Sequence, residues 1–136
     1  MKFRSAVMTI FTLLLLMLLC IAPASSMDDP GFTIKRMVVC EKIEDREPVM
    51  VGESFSATLE QVYCFLEAVE IEQETVISFV WYFEDKEMAR VSLPLEKGNS
   101  WRTYASKKLG GLKGNWKVEL QESSGIVLHS VSFQSQ

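Results

Sequence analysis

The stretch TVISFVWYF, residues 75–83, decides the fold of this chain. In an extended strand successive side chains alternate between two faces. One face of this stretch carries four large apolar side chains: Ile77, Phe79, Trp81 and Phe83. The other face, from Val76 to Tyr82, is also largely apolar, so the pattern predicts a central strand that is covered on both sides.

The same period of two residues continues on both sides of this stretch, which predicts further short strands. Polar, proline-containing or glycine-containing segments separate them, for example residues 44–48, 84–86 and 98–100. We therefore predict an all-β fold, an immunoglobulin-like β-sandwich of about seven to eight strands, with a small closed barrel as the alternative. The other predicted strands are residues 32–43, 49–55, 59–71, 89–95, 101–109, 116–120 and 126–133.

Three local features refine this prediction. Residues 59–71 fit a helical face or a strand, and the cluster Val62-Tyr63-Cys64-Phe65 favours a strand because β-branched and aromatic residues prefer strands. Pro94 lacks a backbone N–H and predicts an edge or bulged position in its strand. The inward positions of the last strand change parity between Leu128 and Val131, which predicts a bulge near His129.

The first 26 residues differ from the rest. Lys2 and Arg4 precede an apolar run from Ala6 to Ile21, and small residues follow at 22–26. This order is typical of a secretory signal, cleaved after Ala24 or Ser26. The run of 16 residues is shorter than the ~20 of a membrane-spanning helix, so an uncleaved anchor is the less favoured alternative. We predict a signal helix in residues 1–26, one domain in residues 27–136, and a periplasmic or secreted protein.

Cys40 and Cys64 are the two cysteines after the signal segment. An even number of cysteines in an exported protein favours a disulfide. Two antiparallel strands that turn around residues 45–55 would place these cysteines opposite each other. A disulfide between Cys40 and Cys64 is therefore expected, and the alternative is two buried free thiols.

Several segments resemble, in order, a bacterial exported family, domain of unknown function number 2914. The resemblance covers nearly the whole of residues 27–136 and implies a small β-sandwich without an assigned activity. Members often carry a histidine two residues before the tryptophan of the central strand, and Phe79 stands there in this chain. The segments are EDREPV (44–49), GESF (52–55), VYCF (62–65), TV-x4-WYF (75–83), WRTYASKKL (101–109), GNWKVEL (114–120) and SG-x2-L-x4-F (124–133).

The residues give little support for catalysis. His129 is the single histidine, and the adjacent Ser130 would point to the opposite face of the strand. The sequence has no nucleophile elbow, zinc-protease motif or phosphate-binding glycine loop. We predict that the protein is not an enzyme and has neither a cofactor nor a metal, since Cys40 and Cys64 lack the spacing of zinc ligands.

Charge is distributed unevenly along the chain. Residues 27–136 hold all 18 acids and 12 basic residues, a net charge of −6, which argues against nucleic-acid binding. Residues 41–74 hold ten acids, whereas residues 97–117 hold six basic residues and no acid, interleaved with Trp101, Tyr104 and Trp116. This basic segment predicts a site for an anionic partner. The alternative is buried tryptophans with solvated lysines, and an Arg102 that pairs with an acid across a strand.

These observations predict an exported, non-enzymatic binding or interaction module, an accessory to the cell envelope. Its partner would be an envelope protein or an anionic polymer, with no nucleic acid and, after signal cleavage, no membrane span. Two alternatives remain: a hydrolase with an unrecognised site, and a structural subunit that assembles through strand edges. The predicted ligand-binding residues are Arg102, Tyr104, Lys107, Lys108 and Lys117.

Overall fold

The computed structural model describes residues 29–136, so the predicted signal helix and its two cleavage positions lie outside the described residues. Nine strands and no helix form the part of the chain that the structure describes. The strands are β1 (Thr33–Glu44), β2 (Glu47–Val51), β3 (Ser54–Phe55), β4 (Gln61–Ile71), β5 (Thr75–Phe83), β6 (Lys86–Leu95), β7 (Gly98–Lys108), β8 (Gly114–Glu122) and β9 (Val127–Ser135).

The strands form two sheets that share one core. The first sheet has the order β2-β1-β4-β7, and the second has the order β3-β9-β8-β5-β6. All neighbours are antiparallel except the short pair β3 and β9. The predicted all-β sandwich is confirmed, and the residues 59–71, which also fitted a helix, contain strand β4.

The core lies between the sheets, as the alternation predicted. Phe79 and Trp81 of β5 have no exposed surface, and Trp116 of β8 is 2% exposed. Leu66 of the first sheet meets them in the same apolar cluster. Burial of large apolar side chains supplies the main favourable free energy of such a fold.

The number and bounds of the strands differ in two places from the prediction. Residues 49–55 form two strands, because the chain leaves the first sheet after Val51 and joins the second at Ser54. Gly98 to Ser100, predicted as a turn, already belongs to β7 and pairs with the end of β4. Together these changes lengthen β7 and give nine strands.

Two finer predictions are confirmed. Strand β6, which contains Pro94, is the outer strand of the second sheet. The pairing of β8 with β9 shifts between Leu120 and Gln121, whose partners are His129 and Val127. The extra residue on β9 is the bulge predicted near His129.

The expected disulfide is wrong. Cys40 and Cys64 do lie on neighbouring strands, but Cys64 is opposite Val39 and Cys40 is opposite Tyr63. This offset of one residue turns the two side chains to opposite faces of the sheet, because neighbouring positions alternate. Cys64 belongs to the core and Cys40 does not, and both are buried free thiols.

Within residues 29–136, no helix is long and apolar enough to cross a membrane.

Candidate functional site

The outer face of the first sheet is covered by its own hairpin. Strands β1 and β2 are joined by Asp45 and Arg46, both with positive φ, as in the two-residue turns that suit a twisted hairpin. The Arg46 carbonyl accepts a hydrogen bond from Arg102 of β7, 3.4 Å away. Since β4 and β1 lie between β7 and β2, this contact requires the hairpin to fold back across the sheet.

Phe65 lies beneath this hairpin. Its neighbours Cys64 and Leu66 face the core, so Phe65 faces outward, yet it is only 1% exposed. The guanidinium carbon of Arg36 lies 4.9 Å from the centre of its ring, a cation–π contact. The first sheet therefore buries an aromatic side chain on its outer face as well as on its inner face.

Two carboxylates and two guanidinium groups hold the hairpin in place. Glu67 of β4, with a side chain 5% exposed, lies 3.3 Å from Arg36 and 3.3 Å from Arg102. Glu47 of β2 pairs with the same two arginines. Its hydrogen bond from Arg36 lowers the pKa of Glu47, and the charge of Arg102 acts in the same direction. The acid-rich and basic segments of the sequence thus meet in one network.

A cavity of about 240 Å³ opens beside this network, and we call it the hairpin pocket. Its lining combines two apolar side chains, the ring of Tyr104, which is 49% exposed, and two arginines. A pocket of this composition suits an anionic group attached to a small apolar body. Its lining residues are Ile43, Arg46, Phe65, Arg102 and Tyr104.

The five predicted ligand-binding residues do not share one face. Arg102 and Tyr104 lie together in the hairpin pocket, and Lys108 lies further along the same face of β7. Lys107 has the opposite parity, and its ammonium group lies 5.9 Å from the ring of Trp116. Lys117 belongs to the second sheet, where it lies over the ring of Tyr82 at 4.9 Å.

The alternative proposed for Arg102 is confirmed, since it pairs across the strand with Glu67. Sequence reasoning missed Arg46, Phe65 and Ile43 as pocket residues. Arg46 was visible as one of only two cations, with Lys42, in the acid-rich residues 41–74. No local pattern indicated that Phe65 would be covered on the outer face.

The second sheet carries a larger open depression of about 690 Å³. Its lining includes three acidic residues, Glu53, Glu84 and Asp85, and one lysine, Lys117. His129 is exposed and makes no side-chain hydrogen bond with another described residue. No group of three or more histidine, cysteine or acidic side chains within residues 29–136 is arranged to hold a metal ion.

Residues 74–134 match the model of a family described as a protein of unknown function, DUF2914. This segment of the chain belongs to the DUF2914 family. The matched segment of the DUF2914 protein runs from the start of β5 into β9, and so includes Arg102 and Tyr104. Arg46 and Phe65 precede it. No curated protein matches the chain.

Some solved structures share part of the DUF2914 chain's shape at low identity. A β-glucosidase from Listeria innocua in complex with laminaribiose is 9% identical with a TM-score of 0.48, over 77% of this chain and 16% of that chain. A β-D-glucoside glucohydrolase from Trichoderma reesei is 12% identical with a TM-score of 0.48, over 77% and 19% respectively. The chain thus spans less than a fifth of these enzymes, and the likeness carries no functional argument.

Proposed function

We propose that this DUF2914 protein is an exported, non-enzymatic binding module that takes a carboxylate group of its partner in the hairpin pocket. The observation that carries the proposal is that Arg46 and Arg102 line the same small pocket as Phe65 and Tyr104. Guanidinium groups form strong, directional hydrogen bonds with carboxylates. The compartment follows from the order of residues 1–26 in the sequence.

The two arginines have different roles in this proposal. Arg102 is held by Glu67 and Glu47, which orient its guanidinium group and neutralise its charge. Arg46 makes no ion pair with another residue of the range 29–136 and is exposed. Its donors are therefore free to bind an incoming carboxylate without breaking the network that holds the hairpin.

The size of the pocket limits what enters it. A volume of about 240 Å³ accommodates one group of side-chain size rather than a whole oligomer. The partner is then a larger, carboxylate-bearing polymer of the cell envelope that inserts one group at a time. The ring of Tyr104, half exposed, contributes apolar contact to the body of that group.

Binding of defined probes to the full-length chain tests the proposal. Polygalacturonate presents carboxylates on a glycan, a glutamate-rich peptide presents them on a protein, and phosphatidylglycerol vesicles present phosphates. We expect carboxylate probes to bind and the affinity to fall with added salt, because exposed charges are screened. Binding to the vesicles alone, or to no probe, would overturn the carboxylate assignment.

A pair of matched variants locates the site. Arg46→Gln removes one charge-assisted hydrogen bond, which corresponds to about a tenfold loss of affinity. Lys117→Gln removes the same charge from the other sheet and is expected to leave the affinity unchanged. Equal losses in both variants would indicate binding through net charge and not through the hairpin pocket.

A further inference from the structure

Strand β7 has a long free edge. It pairs with β4 in a single unbroken register from Gly98 to Lys108, and nothing in residues 29–136 pairs with its other side. Every second residue of this 11-residue strand therefore directs its backbone N–H and C=O groups to the free side. Free edges of this kind are templates for pairing with another strand.

The other three edges of the two sheets are protected. Strand β2 is five residues long, contains Pro48 and has a positive φ at Met50. Strand β6 contains Pro94 and a register shift, and β3 is two residues long. Prolines, bulges and short lengths are the usual means by which proteins prevent edge pairing. Of the four edge strands in residues 29–136, β7 alone is long and has neither a proline nor a register shift, and its only edge protection is the charge of Arg102, Lys107 and Lys108.

Two aromatic side chains of strand β7 are also only partly buried. Tyr104 on the outer face is 49% exposed, and Trp101 on the inner face is only partly buried against the core. Half-exposed aromatic side chains are enriched where proteins associate, because they contribute large contact area with little loss of conformational freedom. We propose that a second copy of this chain pairs with β7, antiparallel and centred on Thr103, and joins two four-stranded sheets into one.

The charges on β7 are compatible with this register. With Thr103 on the two-fold axis, Arg102 is opposite Tyr104 of the second copy, and Ser100 is opposite Ser106. Lys107 and Lys108 are opposite Asn99 and Gly98, so no like charges meet. If the two-fold axis lies at Ala105, two residues further along β7, Arg102 is opposite Lys108 of the second copy. Like charges directly opposite each other are unfavourable. If the two-fold axis lies at Trp101, only residues 98–104 of each copy can pair.

A charge-exchange pair tests both the dimer and its register. Ser100→Lys with Ser106→Lys places lysines opposite each other twice, whereas Ser100→Lys with Ser106→Glu places opposite charges together. Both serines are exposed, and near-ultraviolet circular dichroism checks that each variant is folded. In sedimentation velocity of the full-length chain in a nonionic detergent, we expect the unchanged protein and the Lys/Glu variant to be dimers. The Lys/Lys variant is expected to dissociate at least tenfold more readily.

Crosslinking gives a second readout. In the dimer the two Thr103 Cα atoms are about 4.5–5.5 Å apart, within the range that a disulfide spans. We expect Thr103→Cys, in a Cys20→Ser background, to form a crosslinked dimer on mild oxidation. Met88→Cys, on the free edge of β6, is the control and is expected to stay monomeric. A monomer at all concentrations, or equal crosslinking of both variants, would overturn the proposal. Arg46 does not belong to β7, so Arg46→Gln tests carboxylate binding without changing the dimer edge. The binding proposal and the dimer proposal can therefore fail separately.

Discussion

Arg102 of β7 lies directly opposite Glu67 of β4, and its Nε atom is 3.3 Å from the carboxylate. The glutamate side chain is almost fully buried, whereas that of the arginine is 36% exposed. A buried carboxylate needs charged or polar partners to offset its loss of hydration. This pair therefore connects the basic segment of the sequence to the acidic one and supports the hairpin above it.

Replacement of Arg102 by methionine should destabilise the protein. The substitution keeps much of the apolar stem but removes the hydrogen bond to Glu67 and the ion pair with Glu47. Since hydrogen bonds to charged groups contribute about 1.5–3 kcal/mol, we expect a loss of about 2 kcal/mol in the free energy of unfolding. Urea denaturation measures it. Lys108→Met, an exposed position on the same strand, is the control, and an equal effect there would contradict this account.

The hairpin should loosen in acid. The pKa of Glu47 is lowered in the folded state, first by its hydrogen bond from Arg36. Its stabilising contribution is complete above the unfolded pKa of about 4.3 and is lost as the pH falls through the lower folded value. Hydrogen exchange of the amides of residues 43–49, corrected for intrinsic rates, measures the change. We expect Glu47→Gln to lack this pH dependence and Glu44→Gln, at an exposed position in the same hairpin, to retain it.

The two buried thiols should be unreactive in the folded protein. Burial raises the pKa of Cys40 and raises that of Cys64 further, and only the thiolate form reacts with alkylating agents. In a Cys20→Ser background, maleimide at neutral pH should add nothing to the folded chain. It should add two groups after denaturation without reductant, as read by mass spectrometry. No addition after denaturation would show that the cysteines are bonded.

Gly114 should not tolerate a side chain. It has a φ of +154°, and an added Cβ atom would lie 3.0 Å from the ring of Phe83 and still closer to the carboxylate of Glu84. That carboxylate accepts a hydrogen bond from the Asn115 backbone, so displacing it has a further cost. We expect Gly114→Ala to lower the free energy of unfolding by about 1–3 kcal/mol.

Gly125 provides the control for this substitution. It also has a positive φ, +91°, but a Cβ atom there would meet nothing within 4 Å. Gly125→Ala therefore measures how much backbone strain alone lowers the free energy of unfolding. If the two alanine variants have the same urea midpoint, the close approach of Phe83 and Glu84 is not what requires glycine at 114.

The sequence predicted which face of each strand is buried better than it predicted which strands pair and in which register. Alternation in residues 75–83 correctly placed Phe79 and Trp81 in the core, because a period of two residues follows directly from strand geometry. Pairing partners depend on contacts between distant segments, which no local pattern contains. The disulfide prediction was wrong for this reason: the proximity of Cys40 and Cys64 was correct, and the register differed by one residue.

The candidate site was only partly predictable for a related reason. Residues 97–117 are continuous in sequence, but the chain passes from the first sheet to the second between Lys108 and Gly114. Arg102 and Lys117 consequently lie in different sheets. Arg46 reaches Arg102 only because the β1–β2 hairpin folds back. The alternation did not indicate that Phe65 would be buried on this outer face.

The distribution of the three tryptophans gives the molecule an intrinsic optical reporter. Trp81 and Trp116 are sealed from solvent, so collisional quenchers such as acrylamide cannot reach them. Trp101, on the open edge of the first sheet, is the accessible indole. Emission from the unlabelled chain will therefore reveal whether another surface shields that edge.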